Sequence, residues 1–298
     1  MTLADNAAPV TLGHALDEAT RTLKAVGIET ARVDAGILLA HAAGVTRAAL
    51  VTDPGRALAP DAASRFAALV RRRANREPVS HLLGKREFWS RDFSVGPAVL
   101  DPRPDSETLI EAALDLLPAA SAANVLDLGV GSGCLLLTLL AERPRARGLG
   151  VDLSPAAIEI ARQNAVRLGI DDRVSFCVSD WGAALDGQFE LILCNPPYIA
   201  SGALGTLAAE ITLHEPRLAL DGGPDGYAAY RAIAGQIARL LAPDGIVLIE
   251  AGLGQFTGII EIFSAEGCRL VGEKRDISGI ARCAALGIAQ PADILSGN

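Results

Sequence analysis

The sequence predicts an α/β protein in which a mostly parallel, doubly wound sheet follows a small helical bundle, and three observations carry that expectation. Short apolar runs, each ending in polar residues, alternate with helical runs from residue 106 onward, the pattern of strands joined by crossover helices. One junction is a glycine loop, Gly129-Val130-Gly131-Ser132-Gly133, set between a strand candidate and a helix. Residues 1 to about 80, by contrast, carry only helical spacing.

Leu12, Ala15, Leu16, Ala19, Leu23 and Val26 recur at three and four residues and predict an amphipathic helix over 11–27, ended by Gly27. A second helix is expected over Ala31–Ala43, stopped by Gly44, with shorter pieces around Arg47–Thr52 and Ala62–Asn75. Residues 1–82 thus read as one helical domain without a catalytic constellation. Its Arg71-Arg72-Arg73 run with Arg76 reads as a solvated helix face or as a docking surface for an acidic or nucleic-acid-associated partner. Glu77-Pro78 breaks the helical pattern, and residues 83–104 read as a linker. Phe88, Phe93, Val95, Val99 and Leu100, with Gly96-Pro97, suggest a hairpin between Lys85 and Asp101. Pro102-Arg103-Pro104 then forms a rigid turn, with Asp105 as N-cap of a helix over Ser106–Leu117. Arg103 is either a surface residue or an arginine held over a cofactor carboxylate or an interdomain contact, and we count it among the substrate-binding candidates.

The second domain, 105–290, is followed by a tail, 291–298. Its strand candidates are Val125–Leu128, Gly148–Val151, Val174–Val178, Phe189–Cys194 and Gly245–Ala251, with Cys268–Gly272 and Ile280–Leu286 as a final pair, either separate strands or a hairpin. Helices are expected over Cys134–Ala141, Ala156–Leu168 and around Tyr227–Leu241.

Half of the 298 residues are hydrophobic, enough for a large core, yet no apolar stretch approaches a membrane span and the N-terminus lacks signal-peptide order. A soluble cytoplasmic protein is expected. Five scattered cysteines (Cys134, Cys177, Cys194, Cys268, Cys283) and four histidines without ligand spacing predict neither a disulfide framework nor a metal site. Net charge is +3 over residues 1–100 and −11 over 101–298, so the sheet domain carries no basic footprint for nucleic acid.

The chemistry centres on Asn195-Pro196-Pro197-Tyr198, at the carboxyl end of the fourth strand, where open α/β sheets place ligands. The prolines have no N–H, so the turn presents carbonyl oxygens and the Asn195 side-chain oxygen, acceptors suited to an NH2 group. Tyr198 adds a flat ring; the bland alternative is a strand-terminating turn. Asp152, ending the second strand, suits two ribose hydroxyls, or else caps the next helix with Ser154. Asp180 can accept an adenine amino group, with Trp181 as an apolar wall or a core aromatic. The glycine loop brings backbone N–H groups toward a nucleoside cofactor, although its G-x-G-x-G spacing is not that of dinucleotide binders.

Together these residues resemble the HemK/PrmC family of S-adenosylmethionine-dependent protein methyltransferases, which methylate a glutamine side-chain amide in peptide chain release factors. The likeness covers nearly the whole chain: Glu77-Pro78, Gly84-x-x-Glu87-Phe88, Pro102-Arg103-Pro104-Asp105, Asp127-Leu128-Gly129-x-Gly131-Ser132-Gly133, Ser179-Asp180-Trp181 and Asn195-Pro196-Pro197-Tyr198-Ile199. It continues through Glu215-Pro216, Ala219-Leu220, Gly222-Gly223-x-Asp225-Gly226, Glu250-x-Gly252 and Gln255. The resemblance implies a five-helix release-factor-recognition domain, a hairpin linker and a Rossmann-like class I methyltransferase domain with seven strands. It places the cofactor's methionine moiety at Gly129–Gly133 (Val130 included), ribose at Asp152, adenine near Asp180 and Trp181, and the substrate amide at Asn195, Pro196, Pro197 and Tyr198. Asp101 and His81 depart from the family pattern beside the linker, which puts the interdomain geometry in question.

An adenine or cytosine amino methyltransferase would use the same NH2 pocket, but the −11 half and the lack of an inserted base-recognition domain stand against it. A glutamine methyltransferase of a ribosomal protein is nearer, and the linker and Gly222-Gly223 favour the release-factor branch. An NAD-dependent dehydrogenase would not need the Asn195 turn. A non-catalytic release-factor adaptor would not need a full set of site residues.

Overall fold

The computed structural model describes residues 10–289, and the tail expected at 291–298 lies outside them. The chain forms two compact units, one holding the residues up to Gly84 together with Ala209–His214, the other Lys85–Ala208 and the chain from Glu215 onward. The hairpin is therefore grouped with the sheet, and a segment distant in sequence is grouped with the helices.

The helical unit contains α1 (Leu12–Ala25), α2 (Ala31–Ala43), α3 (Arg47–Thr52), α4 (Pro60–Ala74), α5 (Val79–Leu83) and the later α9 (Ala209–His214). Leu12, Ala15, Leu16, Ala19 and Leu23 bury one stripe of α1 against Leu38, Leu39, Phe66 and Val70. Val26 lies beyond that stripe, at the helix C-cap, and is 40% exposed. Helix α5 is the fifth helix that the resemblance implies, although the spacing after Pro78 does not show it; a proline at a helix start gives up only an N–H that would be unpaired there.

The arginine run is not a uniform surface. Arg73 follows Ala62, Phe66 and Val70 on the buried face of α4 and is 6% exposed. Its Nε donates to Asp34 (2.8 Å) and its Nη1 to Glu210 (3.0 Å), while Arg76 also donates to Glu210 (3.4 Å). Arg71 and Arg72 remain outside, the latter paired with Glu77. A flat guanidinium reaches two carboxylates in fixed directions, which an ammonium cannot reproduce. Arg73→Lys is expected to lower the unfolding free energy by about 1–2 kcal/mol, read from a urea titration; an unchanged midpoint would count against this bridge.

The sheet unit opens with the hairpin β1 (Lys85–Phe88) and β2 (Arg91–Ser94), whose turn residues Trp89 and Ser90 both take positive φ (50° and 56°), as a type I′ hairpin turn requires. Then follow α6 (Glu107–Leu116), β3 (Asn124–Leu128), α7 (Cys134–Glu142), β4 (Arg147–Asp152), α8 (Pro155–Leu168), β5 (Val174–Val178) and β6 (Phe189–Cys194). The unit ends with α10 (Ala228–Leu240), β7 (Leu241–Glu250), α11 (Phe256–Ala265), β8 (Cys268–Arg275) and β9 (Ala281–Ile288).

The sheet order is β5-β4-β3-β6-β7-β9-β8, parallel through β7, with β9 antiparallel to both neighbours. Side chains alternate between two cores: Val125, Leu191 and Leu193 pack with α6 to α8, and Leu126, Ile192 and Cys194 with α10 and α11. Fully buried Asn164 of α8 accepts from the Ser94 N–H (2.7 Å) and donates to the carbonyls of Ser94 and Ser132, stapling the hairpin to the glycine loop.

Asp105 does not cap α6. Pro104–Ser106 forms a 3₁₀ turn, which moves the cap position to Ser106, and the Asp105 carboxylate instead pairs with Arg282 (2.9 Å). Helix α11 was not read from the sequence because its buried signal is only Ile259 and Phe263.

Candidate active site

Between β3 and β6 the chain reverses its direction of progress across the sheet, and the two strands end side by side, with Leu128 opposite Cys194. The glycine loop and the Asn195 turn therefore leave adjacent strand ends, the place where doubly wound sheets open a crevice. A cleft of about 670 Å³ occupies it. Its lining includes Gly129 to Ser132, Asp152, Asp180, Trp181, Asn195 and Pro197. Gly133 lies beneath as the N-cap of α7, and Pro196 is buried. Tyr198 sits behind the turn, its ring against the α10 and α11 core.

The loop differs from expectation in its polarity. The N–H groups of Gly129 and Val130 donate to the Val151 carbonyl (2.9 and 2.8 Å), that of Gly133 to Val130 (2.8 Å) and that of Gly131 to Asp152 Oδ2 (2.9 Å). Most of its donors are spent within the fold, so it offers no nest of free N–H groups for a diphosphate. Carboxylates surround it instead. Asp152 also accepts from Ser154 N–H (2.9 Å) through Oδ1, which leaves each of its oxygens further acceptor capacity for a ribose hydroxyl. Ser154, with its own side chain, caps α8. Trp181, at φ 50°, lays its ring edge about 3.4 Å from where a Cβ on Gly129 would stand.

Asp127 was not singled out as a site residue, yet it is a buried carboxylate directly before the glycine loop. It is 1% exposed on the α7 face of β3, and neither oxygen has a hydrogen-bond partner of normal geometry. Burial pushes its pKa up to about 7 against the partial help of the Leu136 N–H, and Asp152 raises it further. The signal in the sequence was a lone charge inside Val125-Leu126-Asp127-Leu128. An orphaned anion of this kind fits a cationic ligand, and together with the donor-poor loop it fits a sulfonium amino acid better than a nucleotide phosphate.

Asn195 donates through Nδ2 to Ser106 Oγ (2.9 Å), and Ser106 donates to Glu250 Oε2 (2.5 Å). Glu250 ends β7, beside the strand that leads to Asn195, and is 2% exposed. Burial raises its pKa to about 7, opposed by hydrogen bonds from Ser106 and Tyr198. Ser106 and Glu250 were also missed, because no local pattern joins positions so far apart. Arg103 lines the cleft but is not free: its Nη2 donates to both oxygens of Glu215 (2.7 and 2.6 Å).

The back of the turn is braced by the glycine motifs. Ile199 pairs with Asp221 through bonds to Leu220 and Gly222, and Gln255 Nε2 donates to the carbonyls of Tyr198 (3.0 Å) and Gly226 (3.2 Å). A Cβ on Gly226 would lie 2.6 Å from the Tyr198 carbonyl oxygen, and Gly226 has φ 81°. Gly226→Ala is expected to displace the turn and reduce turnover about tenfold while leaving cofactor affinity near wild type, checked by steady-state kinetics and calorimetry.

A family model described as the PrmC N-terminal domain matches residues 14–84, and one described as a methyltransferase domain matches 119–260. The chain is 44% identical, over 91% of its length and 83% of the relative, to the release factor glutamine methyltransferase of Rhodospirillum rubrum. Its identity to the proteins of the same name is 43% in Caulobacter vibrioides (95% of this chain, 98% of the relative) and 46% in Cereibacter sphaeroides (89% and 94%). The chain belongs to the release factor glutamine methyltransferase family. It is an S-adenosylmethionine-dependent methyltransferase of the class I α/β fold. Among the described residues, no helix is long and apolar enough to cross a membrane, and no cluster of side chains is placed to hold a metal ion.

Proposed function

We propose that this enzyme methylates the side-chain amide nitrogen of the glutamine in the Gly-Gly-Gln motif of peptide chain release factors, working in the cytoplasm without direct contact to nucleic acid. The observation that carries this reading is the orientation of Asn195. Its NH2 is held by Ser106, no described residue donates to its Oδ1, and Asn195 lines a cleft together with the glycine loop.

S-adenosylmethionine, when bound, supplies a methyl group on a positively charged sulfur. Gly129 to Ser132 would hold its methionine moiety, and the buried carboxylate of Asp127 would balance its charge. Asp152 would take the ribose hydroxyls, and Asp180 and Trp181 the adenine. Asn195 Oδ1 and the Pro196 carbonyl accept the two amide hydrogens of the substrate, which turns the nitrogen lone pair away from its own carbonyl and toward the methyl carbon. An amide nitrogen is a weak nucleophile in its planar form, so this grip is the main contribution of the chain. The same acceptors stabilise positive charge as it grows on nitrogen. Pro197 shapes the wall, Tyr198 holds the turn from behind, and Arg103, held by Glu215, lines the cleft. No strong base is needed, because an N-alkylated amide cation loses its proton readily.

The test is incubation with labelled S-adenosylmethionine and purified release factors, followed by mass-spectrometric mapping. Label on the glutamine of the Gly-Gly-Gln motif is the expected result. Label confined to a ribosomal protein or to nucleic acid overturns the reading.

A further inference from the structure

We propose that Glu250, acting through Ser106, is a positioning residue that fixes the amide orientation of Asn195, so that an acceptor and not an NH2 group meets the substrate. This rests on the role given to Asn195 above. The number of hydrogens on each group fixes the direction of each bond. Ser106 has one hydroxyl hydrogen, and a carboxylate can only accept, so that hydrogen goes to Glu250 Oε2 at 2.5 Å. Toward Asn195 the hydroxyl can then only accept, and it takes the Nδ2 donor at 2.9 Å. The Asn195 oxygen is thereby turned outward. Ser106 and Glu250 are each 2% exposed, so water does not scramble the assignment.

A protonated Glu250 reverses the sequence. It donates to Ser106, the hydroxyl donates to Asn195 Oδ1, and the cleft then faces the substrate NH2 with another NH2. Turnover requires the carboxylate form. The groups facing Glu250 are compatible with a single titration: Asp105 raises its pKa and Arg282 lowers it, Ser106 and Tyr198 donate to it, and Tyr230 donates to its backbone carbonyl. Burial pushes up the Tyr198 and Tyr230 phenols and the Cys134, Cys194 and Cys283 thiols, so all five stay neutral near pH 7.

The experiment is a pH profile of kcat at saturating cofactor and release factor for wild type, S106A, S106T, E250Q and S106A/E250Q, with cofactor affinity measured by calorimetry. Wild-type kcat is expected to fall about tenfold per pH unit below pH 7 and to plateau above it. S106A is expected to lose at least about tenfold in kcat, with cofactor affinity within about threefold, and S106T to recover most of it. E250Q, whose side-chain oxygen still accepts from Ser106, is expected to lose its acid limb, and the double variant to be no worse than the poorer single one. Wild-type kcat in S106A, failure of S106T to rescue, or losses that multiply in the double variant would overturn the relay. If E250Q does not fold, the S106A and S106T pair decides. Activity retained by N195A overturns the role of Asn195 itself, whereas an inactive N195A beside a fully active S106A overturns only the relay.

Discussion

Asn195→Ala is expected to lower turnover about 10²- to 10³-fold, the cost of removing one oriented polar group that faces developing charge, while cofactor affinity stays within a few-fold. Asn195 lines the cleft at the end of β6 and, among the described residues, its side chain is held by a single bond, from Nδ2 to Ser106, so its loss leaves strand and turn in place. The glycine-loop residues and Asp152 are bonded independently of it. The defect should therefore fall on kcat, because the acceptor acts on the nitrogen as it becomes positive. Single-turnover kinetics with release factor, beside calorimetric titration of the cofactor, separates the two quantities. Wild-type turnover in this variant would remove the amide-gripping role altogether.

Asp127→Asn is expected to weaken binding of S-adenosylmethionine about 10- to 100-fold, the range for loss of a buried charge-assisted contact. In the free protein the carboxyl is buried without a good partner and titrates near pH 7. A bound cation favours the ionised form, so wild-type affinity should be level above about pH 7 and fall by up to tenfold per unit below it, with a proton released on binding. The variant should show no such limb from this position. Stability should move the other way. A carboxyl whose folded pKa is raised above its unfolded value favours the folded state at low pH and loses that advantage as pH rises through both values. Removing the charge should thus raise the melting temperature of the cofactor-free protein at pH 8. Calorimetry between pH 6 and 8 and a thermal melt without cofactor are sufficient; affinity and melting temperature both unchanged would refute a charge-balancing role.

The elements with strong periodicity were legible. Helix α1 follows its stripe of Leu12, Leu16 and Leu23, β6 follows its apolar run, and Gly44 and Gly169 end α2 and α8 with φ of 63° and 65°. Hydrophobic spacing is a local property and survives without knowledge of neighbours. The fate of Arg73 was not legible, because its partner Glu210 lies 137 residues away. Nor was the commitment of the loop N–H groups to Val151 and Asp152, which follows from the parallel register of β3 and β4.

The sequence by itself determined the strands of the sheet and the strongly periodic helices, the glycine loop, the acceptor-rich turn at Asn195 and, through motif likeness, the family. Each depends on residue types a few positions apart. Which way the Asn195 amide points, why Asp127 lacks a partner, and why Arg103 is already paired depended on the tertiary structure. Each of those facts is set by contacts between strand ends or loops far apart along the chain: a hydrogen bond has a donor side and an acceptor side, and burial assigns them only once the partners have been brought together.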